Sequence, residues 1–540
     1  MRLVLFALIG SLAIGQEDHS QHQHAVAGLG MVSFPTSCNS SAQKLISRGA
    51  ALLHSFGYEE ARLAFNNAAS ADPACAMAHW GVARTWYHPI WAPPSADELT
   101  QGAAAIDRAV ALGAKTERER DYINALAVFY KDWKTADHVS RAKAYEQALG
   151  KVQERNPKDD EAAIFHALQV VAIGYLDPTD KTYAWQKKGG EVLNEVLPRQ
   201  REHPGVAHYI IHSVDYPTIA EVGLNAARAY AKIAPDSPHA LHMPSHIFTR
   251  LGLWDDSIAS NVASATSAVA QAHRLRGGGG TYDQLHAIDY LIYAYLQQGR
   301  DRSAQAALAQ MMATTRLDEE QFAAAYAFAA SPARLALERH DWKAAAALEV
   351  KPEWFPWKRF RNSEALVHYA RAIGAARLGD ASAARRSAEE VAAIRNGLPN
   401  TPDYNWAGSI GAQWEAANAL VAISEGKKDE GLGLLRTAAD HEDAVDKHPV
   451  TPGSLLPVRE ILGDVLLENG MAIAALREYE AVLKIAPRRF NATAGAAMAA
   501  DRAGEKAKAR NYAAELLELA KNAEVSRPEL DWARGYVAGK

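Results

Sequence analysis

Residues 49–73 read GAALLHSFGYEEARLAFNNAASADP, and residues 463–487 read GDVLLENGMAIAALREYEAVLKIAP. The two stretches come from opposite ends of the chain and keep the same four landmarks at the same intervals. Gly49, Ala61, Phe65 and Pro73 of the first match Gly463, Ala475, Tyr479 and Pro487 of the second. Apolar residues at helical spacing flank a turn in each. Small residues fall where two helices cross closely, and the proline ends the second helix because it cannot continue the hydrogen-bond ladder. Each stretch therefore predicts a helical hairpin. Ala509 repeats Ala475 after a further thirty-four residues.

Working outward, Gly252-Leu253-Trp254 with Ser257, Gly299 with Ala304, and Gly379 with Ala384 mark more turns between paired helices. A helical hairpin recurring near thirty-four residues is the tetratricopeptide (TPR) period. Such units cannot bury their apolar faces alone, so the expected architecture is an all-α, TPR-like α-solenoid, a superhelix of stacked hairpins whose first helices line a concave groove. Repeats are expected over 45–185, over 186–340, over 341–450 and over 451–540. Two stretches interrupt the period. Gly277 to Gly280 is a flexible insertion, and no strand precedes it, so it is not a phosphate loop. His441 to Leu456, with Pro449, Pro452 and Gly453, is a polar excursion of the kind that gathers on one face of a solenoid.

Composition bounds the function. The 540 residues are 48% hydrophobic and 22% charged, as expected for a chain with a large core. The net charge of −5 is spread along the chain without a basic stripe, which argues against a nucleic-acid partner. At the N-terminus, Arg2 precedes an apolar run from Leu3 to Ile14 too short to span a bilayer, and Ala13-Ile14-Gly15 offers small residues for cleavage. Residues 1–15 are thus expected to be a signal peptide, followed by a polar tail over 16–44, and the mature chain is expected to be periplasmic or secreted. No later segment is apolar enough to cross a membrane. In an oxidising compartment the two cysteines, Cys38 and Cys75, are expected to form a disulfide.

Histidine clusters where the repeats are most regular. Pro204 and Pro238, His208 and His242, and His212 and His246 are three pairs, each thirty-four residues apart. The prolines open the first helices of adjacent repeats, a position that tolerates them. The histidines occupy positions 5 and 9 of those helices, with Ala207, Ile210, Ile211 and Val214 at core positions around them. A spacing of four puts each pair on one face, and neighbouring helices pack about 8–10 Å apart, so all four imidazoles are expected to converge in the groove. Neutral imidazoles suit Zn, Cu, Ni or Fe. In the next repeat His286 falls at position 2, Asp289 at 5 and Tyr293 at 9; His286 and Asp289 are expected to complete the site. Asp215 is a candidate ligand or an orienting partner for a ligand imidazole. Pro244, between His242 and His246, is expected to break the helix.

Weaker signals are His19, His22 and His24 in the tail, His54 and His88 with Trp86 and Trp91, Glu460 with Asp464, and the tyrosines Tyr209, Tyr282 and Tyr293. There is no HExxH, GxSxG or Walker sequence to name a reaction.

The strings His203 to His212 (HPGVAHYIIH) and His239 to Phe248 (HALHMPSHIF), with Leu285 to Tyr290 and Lys447 to Gly453, resemble a family of exported bacterial TPR proteins. The resemblance covers nearly the whole mature chain and implies the fold and export; it carries no reaction. The expectation is a solenoid that binds one or two transition-metal ions, zinc, copper or iron, and that is either a metal-dependent enzyme or a metal storage or delivery protein. The alternative is a non-catalytic scaffold whose concave groove binds a peptide or protein, with the histidines as polar contacts.

Overall fold

A computed structural model describes residues 28–91, 93–177, 179–398 and 404–539. The expected signal peptide and the tail histidines His19, His22 and His24 lie outside the described residues. The described chain is built of α-helices, and its one β feature is an isolated bridge between Gly280 and Leu317. Among the described residues no helix is long and apolar enough to cross a membrane.

The hairpins form as their sequences dictate. Ser40–His54 pairs with Tyr58–Ala71, and Val458–Glu468 pairs with Ala472–Ile485. A methyl group added at Gly49 or at Gly81 of the following hairpin would overlap the Phe65 ring; one at Gly463 or Gly495 would overlap Tyr479. Each aromatic is thus clasped between the glycine of its own hairpin and that of the next. This clasp locks one repeat onto its neighbour and explains why the motif holds its spacing at both ends. Helices pack chiefly on their neighbours in sequence, which makes a TPR-like α-solenoid.

The buried apolar side chains form two clusters, one from Leu29 to Phe248 and one from Trp254 to Ala533. Near the start the Cys38–Cys75 disulfide is formed, tying the segment before the first helix to the end of the first hairpin. The C-terminal repeats return to the middle of the chain. Trp254 Nε1 donates to the Arg488 carbonyl at 2.8 Å, Glu524 N–H donates to the Gly299 carbonyl at 3.1 Å, and Arg527 pairs with Asp301. Fully buried Arg489 joins Glu338 at 2.7 Å and Glu460 at 2.6 Å.

The polar excursion folds inward and is held by its own side chains. Asp446 meets Lys181 at 2.9 Å, Lys447 meets Asp215 at 2.9 Å, and His448 lies flat against Trp406. Arg334 Nη1 donates to the Ser454 carbonyl at 2.8 Å. The expected open groove is therefore closed over the histidines, which are buried.

Candidate metal centre

The helix Pro204–Val214 carries His208 and His212, with Pro204 in its first turn and His203 as its cap. One repeat on, Ser237 caps the short helix Pro238–His242 by accepting from Ala240 N–H at 3.2 Å. Pro244 lacks an N–H, so the ladder stops and restarts as Pro244–Arg250. The backbone at Met243 stays right-handed, so His242 and His246 still meet. The third element, Tyr282–Gln297, carries His286 and follows the long helix Trp254–Arg276. Gly277, Gly278 and Gly279 turn the chain there at positive φ, which only glycine adopts without strain.

The imidazoles sort into two triads, His208/His212/His239 and His242/His246/His286, each with three ring nitrogens within 4.8 Å of one another. The expected convergence of His208, His212, His242 and His246 thus takes the form of two three-histidine groups. Positions 5 and 9 of one repeat are completed by position 2 of the next, where His239 and His286 lie. His212 and His246 have ring centroids 6.3 Å apart, and His239 and His242 6.4 Å, so the triads adjoin. The sequence reading missed His239; its signal was Pro238, which sets position 1 of that helix and makes His239 the counterpart of His286.

The hydrogen bonds around the rings fix which nitrogens face inward. His208 Nδ1 donates to the His54 carbonyl at 2.7 Å, and His246 Nδ1 to Asp215 Oδ2 at 2.9 Å. His242 Nδ1 donates to Asn261 Oδ1 at 2.7 Å; the Asn261 amide nitrogen is committed to the Ser257 carbonyl, which fixes its orientation. The Nε2 atoms of these three rings are then lone pairs. Yet His242 Nε2 lies 3.0 Å from His246 Nε2, and His208 Nε2 lies 3.1 Å from both His212 Nε2 and His239 Nε2. No proton sits between the first two, and one lone pair on His208 cannot take a proton from both neighbours. The Nδ1 atoms of His212 and His239 are buried without a partner.

Electrostatics keep the cluster neutral. Burial pushes His208 down to about 3. Burial, followed by neighbouring imidazoles, holds His212, His239, His242 and His286 well below the usual range. His246 is also lowered by burial, against the opposing pull of Asp215. Burial raises Asp215, but Lys447 and Arg250 outweigh it and hold the carboxylate ionised. Lys447 itself is pushed down to about 8 by burial.

Of the predicted residues, Asp289 joins neither triad. Its Oδ1 accepts from Ser331 Oγ at 3.1 Å and faces Arg334 at 3.9 Å, and burial raises it to about 6. The next residue, Tyr290, packs among the second triad instead, its ring centroid 4.8–5.2 Å from those of His242, His246 and His286. Its hydroxyl donates to the Thr451 carbonyl at 3.0 Å. Glu460 pairs with Arg489, and Asp464 accepts from Tyr479, so both are structural. Tyr293 meets Arg489, Tyr282 packs on Trp91, and His88 stacks on Tyr58.

A third group, His54/Glu161/His203, has a similar shape but a closed hydrogen-bond ledger. His54 Nε2 and His203 Nε2 donate to the two oxygens of Glu161, each at 2.9 Å. Tyr209 OH donates to His54 Nδ1 at 2.9 Å, and Gly205 N–H to His203 Nδ1 at 3.1 Å. Every ring nitrogen is matched.

Aromatic side chains roof the centre. Phe56 packs against His208, His212 and His239, with ring centroids 4.4–5.6 Å apart. A small opening of about 60 Å³, lined by Tyr58, Asp236, Tyr282, Asp283 and Asp318 among others, reaches His239. A larger cavity of about 420 Å³ lies behind the Lys447–Gly453 segment, among Tyr183, Tyr293, Tyr326, Tyr404 and Trp406; none of the six histidines lines it.

No protein-family model matches the chain, and the search of curated proteins found no match. Solved structures similar to it include a human IFIT1 dimer with PPP-AAAA, at 11% identity over 90% of this chain and 91% of that one, TM-score 0.38. The P58(IPK) TPR domain aligns at 13% identity over 93% and 99% of the two chains, TM-score 0.21. The APC/C hetero-tetramer Cut9-Hcn1 aligns at 10% identity over 93% and 96%, TM-score 0.29.

Proposed function

We propose that this chain is a binuclear transition-metal protein of the TPR type, exported to the periplasm or beyond the cell. Each ion is held by one triad, His208/His212/His239 or His242/His246/His286. The observation that carries the reading is the contact of two lone pairs, His242 Nε2 and His246 Nε2, at 3.0 Å with both Nδ1 atoms already donating elsewhere. That contact is repulsive unless a cation lies beside it. Two nitrogens bound to one ion at about 2.0–2.1 Å sit roughly 3.0–3.4 Å apart, the spacing of His242 from His246 and of His208 from both His212 and His239. Zinc, copper and iron all accept imidazole donors. Asp215, Asn261 and the His54 carbonyl serve as the outer partners that fix ring tautomer and direction. A peptide-binding scaffold is the weaker reading, because buried imidazoles are withdrawn from any peptide in a groove.

Elemental analysis of protein purified without chelator or affinity tag tests the proposal. Wild type is expected to carry two ions per chain. The His208→Ala/His212→Ala and His242→Ala/His246→Ala variants are each expected to carry one, with helical circular dichroism retained. Metal-free wild type that stays so after reconstitution would sink the reading.

A further inference from the structure

We infer that the paired triads form a cuprous site that takes up dioxygen, one molecule shared between two copper ions. The inference rests on the binuclear reading above and adds the metal and the substrate class. Three observations carry it: the donor set, the charge around it and the space beside it.

The donors are six neutral imidazoles; among the described residues no carboxylate oxygen joins either triad. Carboxylates are the ligands that suit magnesium, calcium and manganese, and one completes the common two-histidine iron site. Their absence from the triads selects for a softer ion.

Charge narrows the choice further. The carboxylate hydrogen-bonded to a triad imidazole is Asp215, and it is already shared by Arg250 at 2.9 Å and Lys447 at 2.9 Å. At the second triad Asp215 therefore offers no surplus negative charge. Two divalent ions would bring four positive charges into a buried site, whereas two cuprous ions bring two, and the cost of burying charge rises steeply with its amount. The second triad as folded therefore favours a univalent ion, and two such ions keep the charge of the pair lowest.

The space beside the triads then limits the substrate. Pockets for organic ligands run to about 300–1,000 Å³. The opening is about 60 Å³, lined by Phe56 and Tyr282 together with the carboxylates of Asp236, Asp283 and Asp318; of the six histidines it touches His239 alone, and the larger cavity touches none. A diatomic molecule fits; a peptide or a phenol does not. Dioxygen is also uncharged, so it passes the aromatic and acidic walls of that opening without a desolvation penalty. Each Cu(I) gives one electron, dioxygen receives both, and the products are two Cu(II) and one bound O₂²⁻. No bond to protein forms or breaks and no proton is needed. The two negative charges gained by dioxygen offset the two positive charges gained by copper, so the total charge of the buried centre is unchanged.

The test uses the full chain, stripped with chelator and reconstituted anaerobically with Cu(I) alone, beside His286→Gln and His242→Ala/His246→Ala. On admitting air-saturated buffer, wild type is expected to consume one dioxygen per two coppers. It should gain an intense near-ultraviolet band and show no copper signal by electron paramagnetic resonance, because the two Cu(II) spins couple. The double variant is expected to hold one copper and consume none, and His286→Gln, the milder change, to lose the coupled, signal-silent state. Two coppers bound without oxygen uptake or a new band would overturn this inference and leave the binuclear reading standing. Failure to bind two ions of either Cu(I) or Zn(II) would overturn both.

Discussion

The six-histidine centre and the His54/Glu161/His203 cluster are neighbours built from the same residue type, joined by the bond from His208 Nδ1 to the His54 carbonyl. They differ in where the protons go. Around Glu161 each ring has one nitrogen donating and one accepting, so the protein completes the cluster by itself. At His242 and His246 the Nδ1 protons point outward and the Nε2 lone pairs face each other. A count of histidines within reach of one point does not separate the two; the hydrogen bonds do. Replacing Glu161 by Ala is the harshest way to break the contrast. It removes a buried anion from two imidazoles and should cost about 3–5 kcal/mol in denaturant unfolding. Metal content per folded chain should stay at two. A loss of metal with stability intact would mean the Glu161 cluster is a ligand site after all.

Asp215→Asn sharpens the comparison from the other side. The amide keeps the shape but no longer offers His246 Nδ1 a charged acceptor, and it leaves Lys447 and Arg250 without their anion. Affinity at the second triad should fall 10–100-fold, the usual effect of losing such an outer partner. Competition with a chromophoric chelator should show one weakened site and one unchanged. Equal weakening of both would mean that Asp215 acts on the fold and not on His246.

Proton binding offers a third, smaller contrast. His208 titrates at about 3 in the folded chain against 6.5 unfolded, so between those values the unfolded chain binds a proton that the folded chain refuses. Stability is therefore complete above about pH 6.5 and falls as pH drops through that window, by up to ~1.4 kcal/mol per pH unit for such a group. Glu161, held below its ordinary value by His203 and His54 against the opposing effect of burial, adds to stability until pH falls below about 4.5. Chelated protein should thus lose stability between pH 6.5 and 5, and the slope should flatten in His208→Gln. Unfolding free energy that stays level down to pH 5 would contradict the burial of neutral imidazoles.

The repeat was legible because its cause is local: Gly49, Phe65 and Gly81 interlock within one hairpin and the next, so their spacing is written in the chain. His208/His212 and His242/His246 were legible for the same reason, since a four-residue interval guarantees a shared helix face. The division into triads was not. His239 lies thirty-one residues beyond His208, but His286 lies forty-four beyond His242, because the long helix Trp254–Arg276 and the glycine turn intervene. That difference hides the equivalence of the two position-2 histidines. Nor does the sequence show that Lys447, 232 residues from Asp215, returns to close the groove. Asp289 was drawn to the site by its repeat position, yet Arg334 and Ser331 hold it elsewhere. Repeat register says which residues are equivalent; it does not say which charges will claim them.

Tyr290→Phe is the finest probe of the contrast between closed and open clusters. The hydroxyl lies 3.3 Å from His246 Nδ1, the nitrogen that also meets Asp215 at 2.9 Å, and it donates to the Thr451 carbonyl at 3.0 Å. One nitrogen cannot both donate to Asp215 and accept from Tyr290. If Asp215 sets the tautomer, the hydroxyl serves only to pin the Lys447–Gly453 segment, and its loss should cost about 1 kcal/mol. Metal content and the affinity of the second triad should not change. Should Tyr290→Phe release the second ion while Asp215→Asn retains it, the tyrosine would be the group that orients His246, with its lone pair at Nδ1 and its proton at Nε2. The His242–His246 contact would then be an ordinary hydrogen bond, and the triad would resemble the Glu161 cluster more than its own twin.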